Sequence, residues 1–225
     1  LLRAPSAPRI GHDRNSAFGG QIAAALIPPR IILASTSKYR AELLARLGVP
    51  FEQEAPGVDE TAQPGEAPAD LARRLARRKA EKVARENCNS IVIGSDQVLA
   101  VGQRALGKPG SHLRAVEQLR DLSGKEVRFY TAVCLIDSNT MQAVDASSEV
   151  AVQFRFLSEA TIERYLQLDQ PYDCAGSAKA EALGIALIER IDSTDPTALI
   201  GLPLISVVSL LEQLGWPLFD LIPNA

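Results

Sequence analysis

Three places in this sequence hold charged or hydroxyl side chains where the neighbours are apolar or where a helix begins. Asp96 directly follows Ile91-Val92-Ile93-Gly94-Ser95 and precedes Val98-Leu99, which puts it at or inside a buried strand. A buried carboxylate is costly unless it is paired, hydrogen-bonded or bound to a metal. It either closes a strand end or acts as a general base or Mg²⁺ ligand, and the second reading is preferred. Lys79 falls, at 100° per residue, near the middle of an apolar face formed by Ala72, Leu75, Ala76 and Val83. The other basic residues of that segment, Arg73, Arg74, Arg77, Arg78, Lys82 and Arg85, mostly take the opposite, solvated side. A lysine on a core-facing stripe either snorkels past its neighbours or meets an anion. The third place is the junction Ala34-Ser35-Thr36-Ser37-Lys38-Tyr39-Arg40. A helix start offers unpaired N–H groups and a positive dipole end, the hydroxyls add donors, and Arg40 shares the side of Leu44 and Leu47. Phosphate suits such a place, and an ordinary serine cap beside a solvated arginine is the plainer reading.

Other segments are weak alone. Gly107-Lys108-Pro109 presents a lysine on a tight turn, and Gly176-Ser177-Ala178-Lys179-Ala180-Glu181 a lysine and an acid on a glycine-containing loop. Asp59-Glu60 reads on its own as a solvent-facing acidic pair. There is no Walker A, GxGxxG or GxSxG pattern, which removes P-loop NTPases, Rossmann dehydrogenases and the common serine hydrolases. Cys88 and Cys134 have no histidine in either flank, so a cysteine nucleophile is not expected.

The elements that must position these residues alternate. A strand at Ile31–Ala34 leads to a helix over Lys38–Leu47 with Ser37 as N-cap and Gly48 as its stop. A second helix runs from Pro68 to about Glu86, followed by a strand from Ile91 through Leu99. A helix over Ser111–Leu122 precedes strands at Val127–Ile136 and Glu149–Phe156. Ser158 caps a helix to Leu168, a loop covers Ala175–Gly184, a strand Ile185–Ile191, and a last helix Pro203–Leu214. Interleaved helices and strands make the fold class α/β.

Composition narrows the function. The chain has 225 residues, 46% hydrophobic and 23% charged, with a net charge of −3. This is a folded chain long enough to bury a core, without the basic excess of a dedicated nucleic-acid binder. No apolar run approaches the roughly 20 residues of a membrane span, so a soluble, cytoplasmic protein with no membrane partner is expected. No signal peptide is expected either, because the apolar run Ile22–Ile27 is short and lacks a basic stretch directly before it. With 3 cysteines and 2 histidines, neither a disulfide framework nor a zinc site is available, and any metal would be a hard ion held by oxygen. Residues 1–29, rich in proline and glycine and without periodicity, read as a mobile arm.

Taken together, the segments resemble the Maf family of nucleoside triphosphate pyrophosphatases. The matching pieces are Ile32-Leu33-Ala34-Ser35-Thr36-Ser37 with Arg40, Val58-Asp59-Glu60-Thr61, Lys79-Ala80 and Gly94-Ser95-Asp96-Gln97. Further on come Gly107-Lys108-Pro109, Cys174-Ala175-Gly176-Ser177 and Gly201-Leu202-Pro203-Leu204. They occur in family order over about residues 30 to 215. The resemblance implies a mixed twisted sheet flanked by helices, with a cleft between two lobes. It implies a domain over 30–217 with a tail at 218–225, and no function transfers to residues 1–29.

The resemblance also implies hydrolysis between the α- and β-phosphates of a nucleoside triphosphate with a divalent cation, Mg²⁺ or else Mn²⁺. Asp96 is then the proton acceptor and a metal contact, and Glu60 a second acid at the metal. Ser35, Arg40, Lys79, Lys108 and Lys179 bind phosphate. Three positions that set substrate preference fall at Tyr39, Gln97 and Glu181. The branch acting on 7-methyl-GTP carries an aromatic residue, Gln and Glu there, and the dTTP/UTP branch Arg, Thr and Gln, so the first is implied. The chain departs from the family at Lys38, Ala178 and Ala182, where Pro, Phe and Gly are usual. A tyrosine face suits a cationic 7-methylguanine, and a carboxylate suits the guanine N1 and N2 donors. The alternatives are the dTTP/UTP activity and a nucleotide-binding regulator of septum formation. A homodimer is the assembly to test.

Overall fold

A computed structural model describes residues 28–223, so the arm read over residues 1–29 lies, apart from Pro28 and Pro29, outside the described residues. Seven strands form one sheet in the order β2-β1-β3-β5-β6-β7, with β4 beside β3. They are β1 (Arg30–Leu33), β2 (Phe51–Gln53), β3 (Ser90–Val101), β4 (Arg104–Leu106), β5 (Glu126–Asp137), β6 (Ala143–Phe154) and β7 (Ile188–Asp192). The helices are α1 (Lys38–Ala45), α2 (Pro68–Ala84), α3 (His112–Leu122), α4 (Glu159–Asp169), α5 (Leu204–Gln213) and the short α6 (Leu218–Leu221). β1 pairs in parallel with β2 and β3, and every other pairing is antiparallel. The α/β class and the mixed sheet flanked by helices are therefore what the chain forms.

The period-2 alternation of strands divides the core. On one face Ile31, Leu33, Ile91, Ile93, Val133 and Leu135 pack with α1 and α5. On the other, Ile32, Val92, Ala132, Cys134 and Ile136 pack with α2. A third cluster, built on Leu99, Phe129, Val150, Val152 and Phe154, joins the far halves of β3, β5 and β6 to α3 and α4. The long strands thus run through two lobes, and Ser95-Asp96-Gln97 lies on β3 between them.

Gly94 decides how α2 approaches β3. A Cβ there would lie 2.2 Å from the Ala76 carbonyl oxygen and 2.6 Å from the Ala80 nitrogen. Only glycine lets the helix lie this close, and the closeness brings Lys79, one residue before Ala80, beside Asp96 on the strand.

The structure differs from the sequence reading at several elements. β6 starts at Ala143 and ends at Phe154, because Asp145, Ala146, Ser147 and Ser148, weak strand formers, are carried by their register with β5. Phe156, read as strand, is 92% exposed. The strand read over Ile185–Ile191 begins only at Ile188, after a 3₁₀ turn over Leu183–Leu187. The short β2 and β4 have no counterpart in the sequence reading. The segment read as a tail at 218–225 contains α6, whose Leu221 is buried with Leu210 and Leu211, so folded structure extends past residue 217.

Candidate active site

β1 delivers the chain to α1 through Ser35-Thr36-Ser37. The Ser37 Oγ accepts from the Arg40 N–H as N-cap, and the Ser35 Oγ accepts from the Ser37 N–H at 3.1 Å. Arg40 points inward as expected. Its Nε donates to the Gly201 carbonyl at 2.9 Å and its Nη1 to the Ser35 Oγ at 3.4 Å. That carbonyl is available because Gly201 holds φ at +116°, a left-handed conformation that a side chain would strain, and it also accepts from the Ser95 Oγ.

At the middle of β3, Asp96 points towards α2 and Gln97 towards the 198–201 turn. Lys79, 4% exposed, donates to Asp96 Oδ1 at 2.6 Å and pairs with Glu60 Oε1 at 2.6 Å. The two acids respond oppositely to one lysine. Burial pushes the Asp96 carboxyl above its ordinary range, against Lys79 and Arg40, and the charge of Glu60 pushes the same way. Glu60 also feels burial, but its side chain is 57% exposed, and Lys79, Lys108 and Arg40 together hold it below the usual range. Burial lowers the pKa of the Arg40 guanidinium, against the charges of Asp96 and Glu60. Asp96 Oδ2 has no hydrogen-bond partner among the described residues, and Asp96 lines a cleft of about 990 Å³ together with Ser35, Arg40, Glu60, Lys79 and Lys108.

A smaller pocket adjoins the cleft, with Tyr39, Gln97 and Glu181 in its lining and Phe129, Phe154 and Ile188 among its apolar walls. Gln97 is fixed in one orientation. Its Nε2 lies 3.0 Å from Thr131 Oγ1, whose own hydroxyl donates to the Ala198 carbonyl, and also contacts the Ala198 and Leu199 carbonyls. The amide nitrogen is consumed by acceptors, so Oε1 remains as an acceptor. Burial raises the Glu181 carboxyl, with Asp169 and Asp173 adding to it. Burial also raises the Tyr39 hydroxyl, and Lys38 Nζ stands 4.9 Å from the centre of the Tyr39 ring. The Cys174 thiol is pushed up to about 12, first by burial, which keeps it protonated and unreactive.

The structure thus gathers Ser35, Arg40, Glu60, Lys79, Asp96 and Lys108 around one cleft, and Tyr39, Gln97 and Glu181 around its neighbour. Lys179 is not with them. Its Nζ donates to the Asp169 carbonyl at 2.9 Å, at the end of α4, and it lines neither cavity. Cations are favoured at helix C-termini, where carbonyls lack partners. The expectation that Lys179 touches phosphate therefore meets a lysine committed elsewhere. Sequence reasoning missed Asp173, which lines both cavities, and the carbonyls of Ala198 and Leu199, since backbone acceptors leave no mark in residue types.

The Maf-like protein family matches residues 30–214. The chain belongs to the Maf family. A 7-methyl-GTP pyrophosphatase of Nitrosococcus oceani is 54% identical to it over 190 residues, covering 84% of this chain and 96% of that protein. A 7-methyl-GTP pyrophosphatase of Ralstonia nicotianae is 51% identical over 191 residues, 85% of this chain and 98% of the relative. One of Thiobacillus denitrificans is 52% identical over 194 residues, with 84% and 96% covered. No helix among the described residues of this Maf chain is long and apolar enough to cross a membrane.

Proposed function

We propose that this Maf-family chain is a nucleoside triphosphate pyrophosphatase that hydrolyses 7-methyl-GTP to 7-methyl-GMP and diphosphate. The observation that carries the reading is a buried acid with one free oxygen, beside a cationic cleft that continues into a pocket of acceptors. Relatives at 51–54% identity that bear the name 7-methyl-GTP pyrophosphatase support it.

The triphosphate lies in the cleft, its charge met by Arg40, Lys79 and Lys108 and by the N–H groups at the start of α1. Asp96 Oδ2 takes the proton of the attacking water, and burial, by raising this carboxyl, makes it a better proton acceptor than an exposed aspartate. The water oxygen bonds to the α-phosphorus as the α–β phosphoanhydride breaks, giving the monophosphate, and diphosphate leaves against Arg40 and Lys108. Lys79 holds Asp96 in place and lowers the cost of its charge. The guanine edge lies against the acceptors Gln97 Oε1 and Glu181, and the positive charge of the methylated base favours the Glu181 carboxylate and a Tyr39 face. Lys179 serves as a brace for the loop carrying Glu181.

The donor set suits Mg²⁺. Among the described residues no cluster of three or more His, Cys, Asp or Glu forms a closed cage. Asp96 and Glu60 are two hard oxygen donors on the cleft, the usual protein share when substrate phosphates and water complete the shell. They would hold the ion, which when bound screens the triphosphate charge and polarises its phosphoryl oxygens. A cytoplasmic setting suits a chain whose cysteines Cys88, Cys134 and Cys174 are all unpaired.

The test is pyrophosphate release with Mg²⁺ from 7-methyl-GTP, GTP, dTTP, UTP and CTP. The expected result is a strong preference for 7-methyl-GTP. Preference for dTTP or UTP would overturn the base assignment and keep the chemistry, and no release from folded protein would overturn both.

A further inference from the structure

The cleft over Asp96 and the pocket at Glu181 share a wall to which Ser37, Tyr39, Arg40, Gln97, Lys108 and Asp173 all contribute. In a nucleotide the sugar joins base to phosphates, so a ligand filling both cavities must pass its sugar along this wall. Most of the wall is already committed. Arg40 and Lys108 are cations for phosphate, the Ser37 Oγ caps α1, and the Gln97 amide is pinned facing the base. Among the described residues Asp173 is the one carboxylate that both cavities share, and the mechanism gives it no task.

Asp173 is exposed but held from behind. The preceding Tyr172 donates its N–H to the Gln170 carbonyl, accepts the Gly110 N–H on its own carbonyl, and places its hydroxyl 3.1 Å from His112 Nδ1. The Asp173 carboxylate has no ion-pair partner among the described residues and meets only the weak Cys174 thiol, at 3.5 Å. Its charge reaches Tyr39 and Glu181, raising the pKa of both, as expected for an acid that faces the pocket. A negative side chain at the mouth of a cleft for a triphosphate repels that ligand unless it binds another part of it. The free hydroxyls of a sugar are donors that need acceptors, and two carboxylate oxygens match a vicinal diol, as acidic residues do for ribose in dinucleotide folds.

We infer that Asp173 is a sugar-recognition residue that accepts hydrogen bonds from the ribose hydroxyls and makes ribonucleotides better substrates than 2′-deoxynucleotides. This rests on the reading that a nucleoside triphosphate spans both cavities, but not on which base it carries. The experiment measures kcat/KM for 7-methyl-GTP against 7-methyl-2′-deoxy-GTP, and for UTP against dUTP, in the wild type, Asp173→Asn and Asp173→Ala. The wild type is expected to favour the ribonucleotide by about ten-fold or more, as for a lost hydrogen bond to a charged group. In Asp173→Ala that ratio collapses towards one, through a loss on the ribonucleotide alone, with Asp173→Asn in between. Ribo/deoxy ratios that are the same in wild type and Asp173→Ala would overturn the assignment. So would a loss equal for both sugars but larger for the methylated base, which would make Asp173 a charge partner of the base. Hydrolysis of the uridine pair alone would sink the base reading while still testing Asp173. Hydrolysis of no nucleotide would overturn both.

Discussion

The two cavities are built by different means. The end proposed as catalytic rests its acid–lysine pair on regular elements: Asp96 in the middle of a twelve-residue strand, Lys79 on the buried face of a seventeen-residue helix, and Gly94 setting the distance between them. The proposed base-recognition end adds turns to such elements, with Tyr39 on α1 and Gln97 on β3. Glu181, Cys174 and Asp173 lie on a segment of 3₁₀ turns and loops, and Gln97 takes its orientation from the carbonyls of the 198–200 turn. Chemistry common to all triphosphates needs one fixed geometry, which backbone hydrogen bonds and close packing supply. Choice among bases needs a surface that can be rewritten residue by residue, which loops allow without disturbing the core.

If that division is right, the largest effect comes from the rigid end. Asp96→Asn should lower kcat by about 10²–10⁴-fold, the usual range for removal of a general base. Its melting temperature should not fall, because the neutral amide relieves a buried charge while Lys79 keeps Glu60. Turnover near the wild-type rate, measured as pyrophosphate release, would remove Asp96 from the role of base.

At the other end, Glu181→Gln should leave kcat for plain GTP nearly unchanged and reduce the preference for 7-methyl-GTP by about ten-fold, since only the carboxylate offsets the charge of the methylated base. The ratio of the two kcat/KM values reads this directly. An unchanged ratio would show that selectivity rests on Tyr39 and Gln97.

Lys179 separates brace from phosphate ligand. As a brace, Lys179→Met should raise KM a few-fold and blur base selectivity, with kcat within about two-fold. As a ligand of developing charge it would cost kcat about 10²-fold.

The smallest expected effect concerns the loop that carries Glu60 to the cleft. Arg74 holds Glu66 through contacts of 2.5 and 2.7 Å and also donates to the Thr61 carbonyl. The Glu66 carboxyl is depressed from the usual 4.5 to about 2, chiefly by the Arg74 hydrogen bond. A depressed carboxyl stabilises the folded state above its unfolded value, and that contribution is lost as the pH falls from about 4.5 through about 2. In Glu66→Gln the melting temperature should therefore fall less steeply across this window than in the wild type. Parallel curves for the two proteins would show that the pair does not anchor the loop.

Much of the catalytic end is legible in the residues alone. Helical periodicity puts Lys79 on the buried stripe, and a carboxylate after an apolar run marks Asp96. The paired-acid loop is ambiguous, because Glu60 sits outside any periodic element and only folding brings it to 2.6 Å from Lys79. At the base end the residue types are named through resemblance, but their arrangement is not readable. The direction of the Gln97 amide depends on Thr131, 34 positions away in the chain, and on Ala198, 101 away.

Local periodicity, helix capping and short contiguous motifs are enough to establish the α/β class, the order of most elements, the family and the burial of Lys79 and Asp96. Each of these is written within a few turns of helix or a few residues of strand. Three further features emerge only when the chain is folded: one lysine joins two acids, Lys179 turns away to the end of α4, and Asp173 stands where the two cavities meet. They depend on contacts between residues distant in the chain, and their geometry is set by packing and by backbone carbonyls that residue identity does not encode.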